Sequence, residues 1–272
     1  MGKRSCWEMV IQEKNKVVIL GSGNVATFMA TALESHVNVS QIYSPNFSHA
    51  KKLADKVRGA EPVSDLSDLD TTAHYYIVSV KDDAIAEIAD KAPRTGTDSI
   101  WAHTSGSVPA DVFRSTRPNY GVFYPLQTFN AVSTPGIDEV PMLIEGNNEY
   151  TNTGLTQLAK CISENVRFAD SNHRKLFHLA AVFACNFANR MWAIADDILQ
   201  AEGYDLSILE PLMKRTLANT LIAPPAELQT GPARRHDNQI IENHLARLPQ
   251  DYANIYRTIS DNIQNAYPDE QN

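Results

Sequence analysis

The chain has 272 residues, 43% of them hydrophobic, and a formal charge of −8 at neutral pH. That content can bury a core large enough for two domains. The negative balance, with no basic cluster denser than Arg234-Arg235, argues against nucleic acid or an anionic membrane as partner and leaves a small-molecule substrate.

Residues 1–15 read as a polar arm without the apolar stretch of a secretion signal, and no later segment approaches the roughly 18 apolar residues of a membrane span. Cys6, Cys161 and Cys185 share no close spacing, which suggests neither a disulfide framework nor a zinc site. A cytoplasmic protein without a metal is expected. From Lys16 onward, apolar strand-like runs alternate with amphipathic stretches, the rhythm of a parallel sheet covered by helices on both faces.

The first of these units is the most telling. Val17-Val18-Ile19-Leu20 reads as a buried strand, Gly21-Ser22-Gly23-Asn24-Val25-Ala26 as a glycine turn, and Val25 to Glu34 as a small-residue helix. In such a unit the first glycine makes the tight turn, the second admits a pyrophosphate to the backbone, and Ala26 at the third position lets helix and strand pack closely. Unpaired N–H groups at the helix start then face the phosphates. Gly21, Ser22, Gly23, Asn24 and Val25 are therefore candidate cofactor contacts; the alternative is an ordinary turn between strand and helix.

Val39 to Tyr43 follows as a strand and Ala50 to Val57 as a helix. The acidic residue that holds an adenosine ribose 2′-hydroxyl belongs at the end of that strand, about 20 residues past the glycines. It is missing, for the segment reads Tyr43-Ser44-Pro45-Asn46-Phe47-Ser48, with Lys51 and Lys52 beyond. A 2′-phosphate is tolerated there, which favours NADP over NAD and makes Ser44 and Asn46 candidate contacts. Alternatively, Ser44 and Ser48 only cap the next helix.

Further strands are expected at Tyr75 to Val80, Ser99 to Ala102, near Val122, at Pro141 to Ile144 and at Val166 to Phe168. A helix is expected at Ala84 to Lys91, with Asp82 or Asp83 as its N-cap. In parallel sheets ligands lie beyond the carboxyl ends of the strands, which draws attention to Val80, to His103-Thr104-Ser105-Gly106-Ser107 and to Tyr124-Pro125-Leu126-Gln127-Thr128-Phe129. Val80 and Ser105 join the cofactor set, and Gln127 becomes a substrate contact. His103 is either a catalytic group or a histidine hydrogen-bonded into a strand end.

After Asp170 the rhythm changes. Asn172 to Glu202 reads as one long helix, apolar nearly all round in its first two-thirds, that must be covered by other helices or a second subunit. Tyr204 to Ile222, Asn238 to Leu248 and Asp251 to Ala266 add helical segments, so a homodimer through these helices is expected. His178, Val182 and Asn186 step by four residues along one flank. Imidazole titrates near neutral pH, so His178 is a candidate proton donor, with Asn186 to orient a substrate and Lys175 as a rival acid. Both alternatively bridge neighbouring helices. In Thr230-Gly231-Pro232-Ala233-Arg234-Arg235-His236-Asp237, Arg234 suits an anion or pairs with an acid such as Asp237, itself a possible cap for the next helix.

Taken together, the glycine turn, His103-Thr104-Ser105-Gly106, Pro125-Leu126-Gln127-Thr128-Phe129, His178 to Asn186 and Thr230-Gly231-Pro232-Ala233-Arg234 resemble a bacterial family described as NADP oxidoreductases. That family joins a Rossmann-like domain to a helical domain of unknown function. The resemblance runs from Lys16 to Tyr256, and its Pro-Leu-Gln-Thr-Phe and Thr-Gly-Pro-Ala-Arg segments are specific. More distantly the chain resembles pyrroline-5-carboxylate reductase and deazaflavin-dependent NADP reductases. What the resemblance implies is an α/β Rossmann-like N-terminal domain with a mostly parallel sheet, an NADP cofactor and an all-α dimerisation domain; it implies no substrate. The chain departs from such relatives at Ser44-Pro45-Asn46, where an Asn-Arg-Thr-like phosphate grip is common. The Lys-x-x-Asn catalytic pair of the related beta-hydroxyacid dehydrogenases is absent too, because Lys175 is followed at that interval by His178.

The expected organisation is thus an arm at 1–15, an NADP-binding domain at 16–168, a helical substrate and dimerisation domain at 169–268 and a tail at 269–272. The expected activity is hydride transfer between nicotinamide and a C=O or C=N carbon of a small, anionic substrate. Two readings from other classes compete: an NADP(H) sensor or scaffold without turnover, and a methyltransferase. The latter normally wants an acidic residue for the ribose at the end of the second strand.

Overall fold

The computed structural model describes residues 15–130 and 140–268. The expected arm (but for Asn15), the tail and Cys6 lie outside the described residues. Described residues through Cys185 form one compact unit, and those from Asn186 form a second.

The first unit is built on an eight-stranded sheet of order β3-β2-β1-β4-β5-β6-β7-β8. Its strands are β1 (Lys16–Leu20), β2 (Asn38–Tyr43), β3 (Glu61–Val63), β4 (Tyr75–Val78), β5 (Ile100–His103), β6 (Asn119–Pro125), β7 (Met142–Gly146) and β8 (Val166–Phe168). All neighbours are parallel except β6 and β7. The central strands are apolar on both faces because both are covered. Val17, Ile19, Tyr75, Ile77 and Phe123 pack on one side with α1 (Asn24–Leu33), α2 (Phe47–Ala54) and α4 (Glu149–Lys160). On the other, Val18, Leu20, Tyr76, Val78 and Trp101 pack with α3 (Asp82–Lys91). Asp82 and Asp83 sit in the first turn of α3, where Lys81 is the N-cap without a side-chain bond, so they complement the helix dipole and do not cap it as expected.

Strand order fixes where a ligand can lie. The chain runs from β1 outward to β3, then crosses to β4 on the other side of β1, which creates a switch point at the carboxyl ends of β1 and β4. The unit ends with α5 (Ser171–Ala181), capped by the Asp170 carboxylate. Although α5 was expected with the helical domain, its wholly buried Arg174 is built into the sheet unit.

The long helix is present, but not as one uniform α-helix: α5 runs into a π-helical turn at Val182–Phe187 and continues as α6 (Ala188–Gln200). The four-residue spacing that put His178, Val182 and Asn186 on one flank assumes 3.6 residues per turn, and the wider π-turn breaks that arithmetic. The second unit adds α7 (Glu210–Thr220), α8 (Asn238–Leu245) and α9 (Gln250–Ala266), with Ala233, Ile241 and Leu245 as a small buried cluster. Among the described residues no helix is long and apolar enough to cross a membrane.

Candidate active site

The glycine turn begins the site. Gly21 has φ +130, and a Cβ there would come within 2.1 Å of the Ser79 carbonyl oxygen, so the fold itself demands glycine where β1 meets the end of β4. Gly23 is different. Its φ is −79, and a Cβ would meet nothing within 4 Å. The fold leaves that space open, and a diphosphate approaching the first turn of α1 is the group that would fill it. Gly23 is also the N-cap of α1 and makes no side-chain cap bond, so the helix's first amides face outward. The residues present therefore fit a dinucleotide.

Around that turn, Ser22 Oγ donates to Ser44 Oγ at 3.2 Å, and Gly21 N donates to the Tyr43 carbonyl at 2.8 Å, which ties the end of β2 to the turn. Asn46 caps α2 by accepting from Ser48 N at 3.0 Å, the role expected of a serine. Asn24 Nδ2 donates to the Phe129 carbonyl at 3.2 Å, and the Phe129 ring packs 4.9 Å from Phe28. Val25 packs against the core of the α1 face and Val80 against that of the α3 face. Gln127 is exposed, and its Oε1 accepts from Thr128 N.

His103 at the end of β5 is fully buried. Its Nδ1 accepts from Ser105 N at 3.1 Å, which leaves the ring proton on Nε2, facing the Pro109 carbonyl at 3.3 Å. Burial, and then the nearby Arg174 guanidinium, push its pKa down to about 3. Both nitrogens face loop partners and the ring stays neutral, the arrangement expected of a histidine hydrogen-bonded into a strand end. Ser105 likewise turns inward, its Oγ accepting from Ser107 N and Val108 N at 3.0 Å each.

His178 on α5 is half-buried. Tyr124 Oη lies 2.9 Å from His178 Nδ1, the rings meeting edge to face. Burial raises the Tyr124 pKa, so its phenol keeps its proton. Gly106 backs the imidazole so closely that a Cβ there would stand 2.8 Å from His178 Cγ and Nδ1. One turn earlier, Arg174 pairs with Glu145 and donates to the Ser105 carbonyl at 3.2 Å and to the Val108 carbonyl. It thus pins α5 to the loop after β5. Sequence reasoning passed over Arg174 and pointed to Tyr124 only as part of a strand-end segment, without its partner. Arg174 precedes His178 by four residues and so shares its face, a signal that was available; the Tyr124 contact, spanning 54 residues, left none.

Lys175 is exposed and apart from this cluster, and His173 pairs with Asp170 at 2.9 Å. In the second unit, Asn186 is exposed at the π-turn. Arg234 stacks 4.7 Å over the Tyr267 ring, and Asp237 caps α8 by accepting from Ile240 N at 3.2 Å. The expected alternative of an Arg234–Asp237 pair is not formed. Among the described residues no group of three or more metal-ligating side chains occurs.

A glycine turn at a switch point, followed by a proton-bearing pair at the same sheet edge and then by helices, is the layout of a nicotinamide-dependent oxidoreductase. Residues 140–263 match the family model DUF2520, a domain of unknown function. A Bacteroides fragilis crystal structure, described as a putative NADP oxidoreductase, is 37% identical, covering 93% of this chain and 99% of its own, with a TM-score of 0.88. The chain belongs to that NADP oxidoreductase family. A reductive aminase from Aspergillus terreus, solved with NADPH and ethyl levulinate, shares the fold at 15% identity over 93% of each chain, with a TM-score of 0.71. A curated glycerol-3-phosphate dehydrogenase [NAD(P)+] from Legionella pneumophila is 23% identical over 75% of this chain, which spans 66% of that protein's length.

Proposed function

We propose that this protein transfers hydride between NADP(H) and a C=O or C=N carbon of a small, anionic substrate. The observation that carries the reading is the Tyr124–His178 pair, set at the sheet edge onto which the glycine turn opens. Nicotinamide, when bound, supplies or accepts the hydride. The chain's part is to bind, orient and move a proton. In the protonated imidazole, Nδ1–H donates to the Tyr124 oxygen and Nε2–H is free for a substrate oxygen or nitrogen. Loss of the Nε2 proton leaves a neutral ring held in place by the same hydrogen bond. Gly106 and Arg174 fix the ring and its helix. Gln127, on the loop after β6, is the proposed substrate contact.

We also propose a cytoplasmic homodimer formed through the C-terminal helices. Leu221 and Ile222 are 82% and 81% exposed, and Leu212, Leu217 and Ile208 are also open, more apolar surface than a lone soluble chain usually shows.

Fluorescence titration of the purified protein with NADPH and NADH tests the reading, followed by a panel of keto acids, aldehydes and cyclic imines. Saturable NADPH binding with oxidation by one substrate class supports it. Binding without turnover across the panel would favour a sensor, and binding of neither coenzyme would remove the dinucleotide reading altogether.

A further inference from the structure

Between α1 and α2, beside the glycine turn, lies a cavity of about 360 Å³ lined by Ser22, Asn24, His49, Lys52, Lys56 and Phe129 among others, with no carboxylate in its wall. We infer that this cavity is the seat of the cofactor's 2′-phosphate, and that Lys52 and Lys56 replace the missing arginine as the charges that select NADP over NAD. The inference rests on the coenzyme reading above and deepens it.

Three observations support the assignment. First, the ribose 2′-oxygen of a dinucleotide belongs at the end of β2, which here is Ser44, buried and bonded to the cavity-lining Ser22. Two hydroxyls that share one hydrogen bond leave one O–H uncommitted, able to donate to a phosphate oxygen.

Second, the lysines of α2 and of the turn that follows it divide their duties. Lys51 is paired with Asp55 at 3.0 Å and is absent from the cavity wall. Lys52 and Lys56, one turn apart, line the cavity, and among the described residues no ion pair or side-chain hydrogen bond engages either. Third, His49 comes one turn before Lys52 on the same wall, so three basic side chains converge in a chain whose net charge is −8. Such local reversal of sign has a use if the occupant is a dianion. A 2′-hydroxyl would gain nothing from it.

Calorimetric titration of the full chain with NADPH, NADH and 2′,5′-ADP separates the possibilities. The parent is expected to prefer NADPH and to bind 2′,5′-ADP more tightly than 5′-AMP. The double variant Lys52→Ala/Lys56→Ala should lose about tenfold or more in affinity for NADPH and 2′,5′-ADP while NADH stays within about twofold, since charge-assisted contacts to phosphate are the ones removed. Both lysines are exposed, so the fold is expected to survive, and an unchanged circular dichroism melt checks that. If the double variant holds both coenzymes as the parent does, the cavity is not the phosphate seat while the coenzyme reading stands. If the parent binds neither coenzyme, both fall together.

Discussion

The two units of this molecule handle their apolar residues in opposite ways. In the sheet unit the strands bury side chains on both faces, and even the polar groups at the strand ends are satisfied internally, as His103, Ser105 and Arg174 show. Among the described residues of the helical unit the buried hydrophobic cluster has three members, and leucines and isoleucines of α7 and the turns beside it are exposed. The first unit closes its own core; the second leaves large apolar side chains exposed. The proposed proton chemistry falls where groups are held rigidly, and the proposed self-association on the surface that is still open.

The largest expected effect lies in the closed unit. Arg174→Ala would leave the Glu145 carboxylate and two carbonyls without their partner, a loss of about 3–5 kcal/mol for a broken buried pair. A chemical-denaturation midpoint for the sheet unit that does not move would show that this pair does not hold α5. Next comes His178→Gln, which keeps a polar group beside Tyr124 but removes the titrating ring. Turnover should drop about a hundredfold, near 2.7 kcal/mol, with coenzyme affinity unchanged; a loss below tenfold would reject the assignment.

In the open unit, Leu221→Asp with Ile222→Asp should weaken self-association by about tenfold or more while the sheet unit's melt stays put. Sedimentation equilibrium reads this directly, and an unaltered dimer would move the interface elsewhere. The most gradual effect, spread over several pH units, concerns pH. His103 is neutral when folded down to about pH 3 but takes up a proton below about pH 6.5 when unfolded. The unfolded state thus binds more protons between those limits, and stability present above that range falls with acidification, by at most about 1.4 kcal/mol per pH unit. His103→Gln should flatten that slope, and equal slopes in both proteins would clear His103 of the effect.

Much of this was legible in the residues. A continuous apolar run such as Val17 to Leu20 can be little other than a strand buried on both faces, and Gly21 with Gly23 after it announces the turn. By contrast β3 is three residues long with Pro62 at its centre, and its place was set by its pairing with β2. Helix α4 went unread because Thr151, Thr153, Gly154 and Thr156 dilute its apolar face, and packing on β6 and β7 outweighs that weak propensity. The site divides similarly. His178 was recognisable as a polar residue on an apolar helix, whereas Tyr124 and the cavity-lining Lys56 are brought to their places by folding. His103 looked catalytic because a strand-end histidine is ambiguous until its two nitrogens are traced.

The loop that carries Gln127 is leashed to α1, through the Asn24 amide on the Phe129 carbonyl and the Phe28–Phe129 ring contact. The helix turn that would greet the diphosphate therefore also holds the segment that would greet the substrate. On the proposed roles, one short span of protein would read both halves of the reaction, joined across α1 and residue 129 by one hydrogen bond and one ring contact.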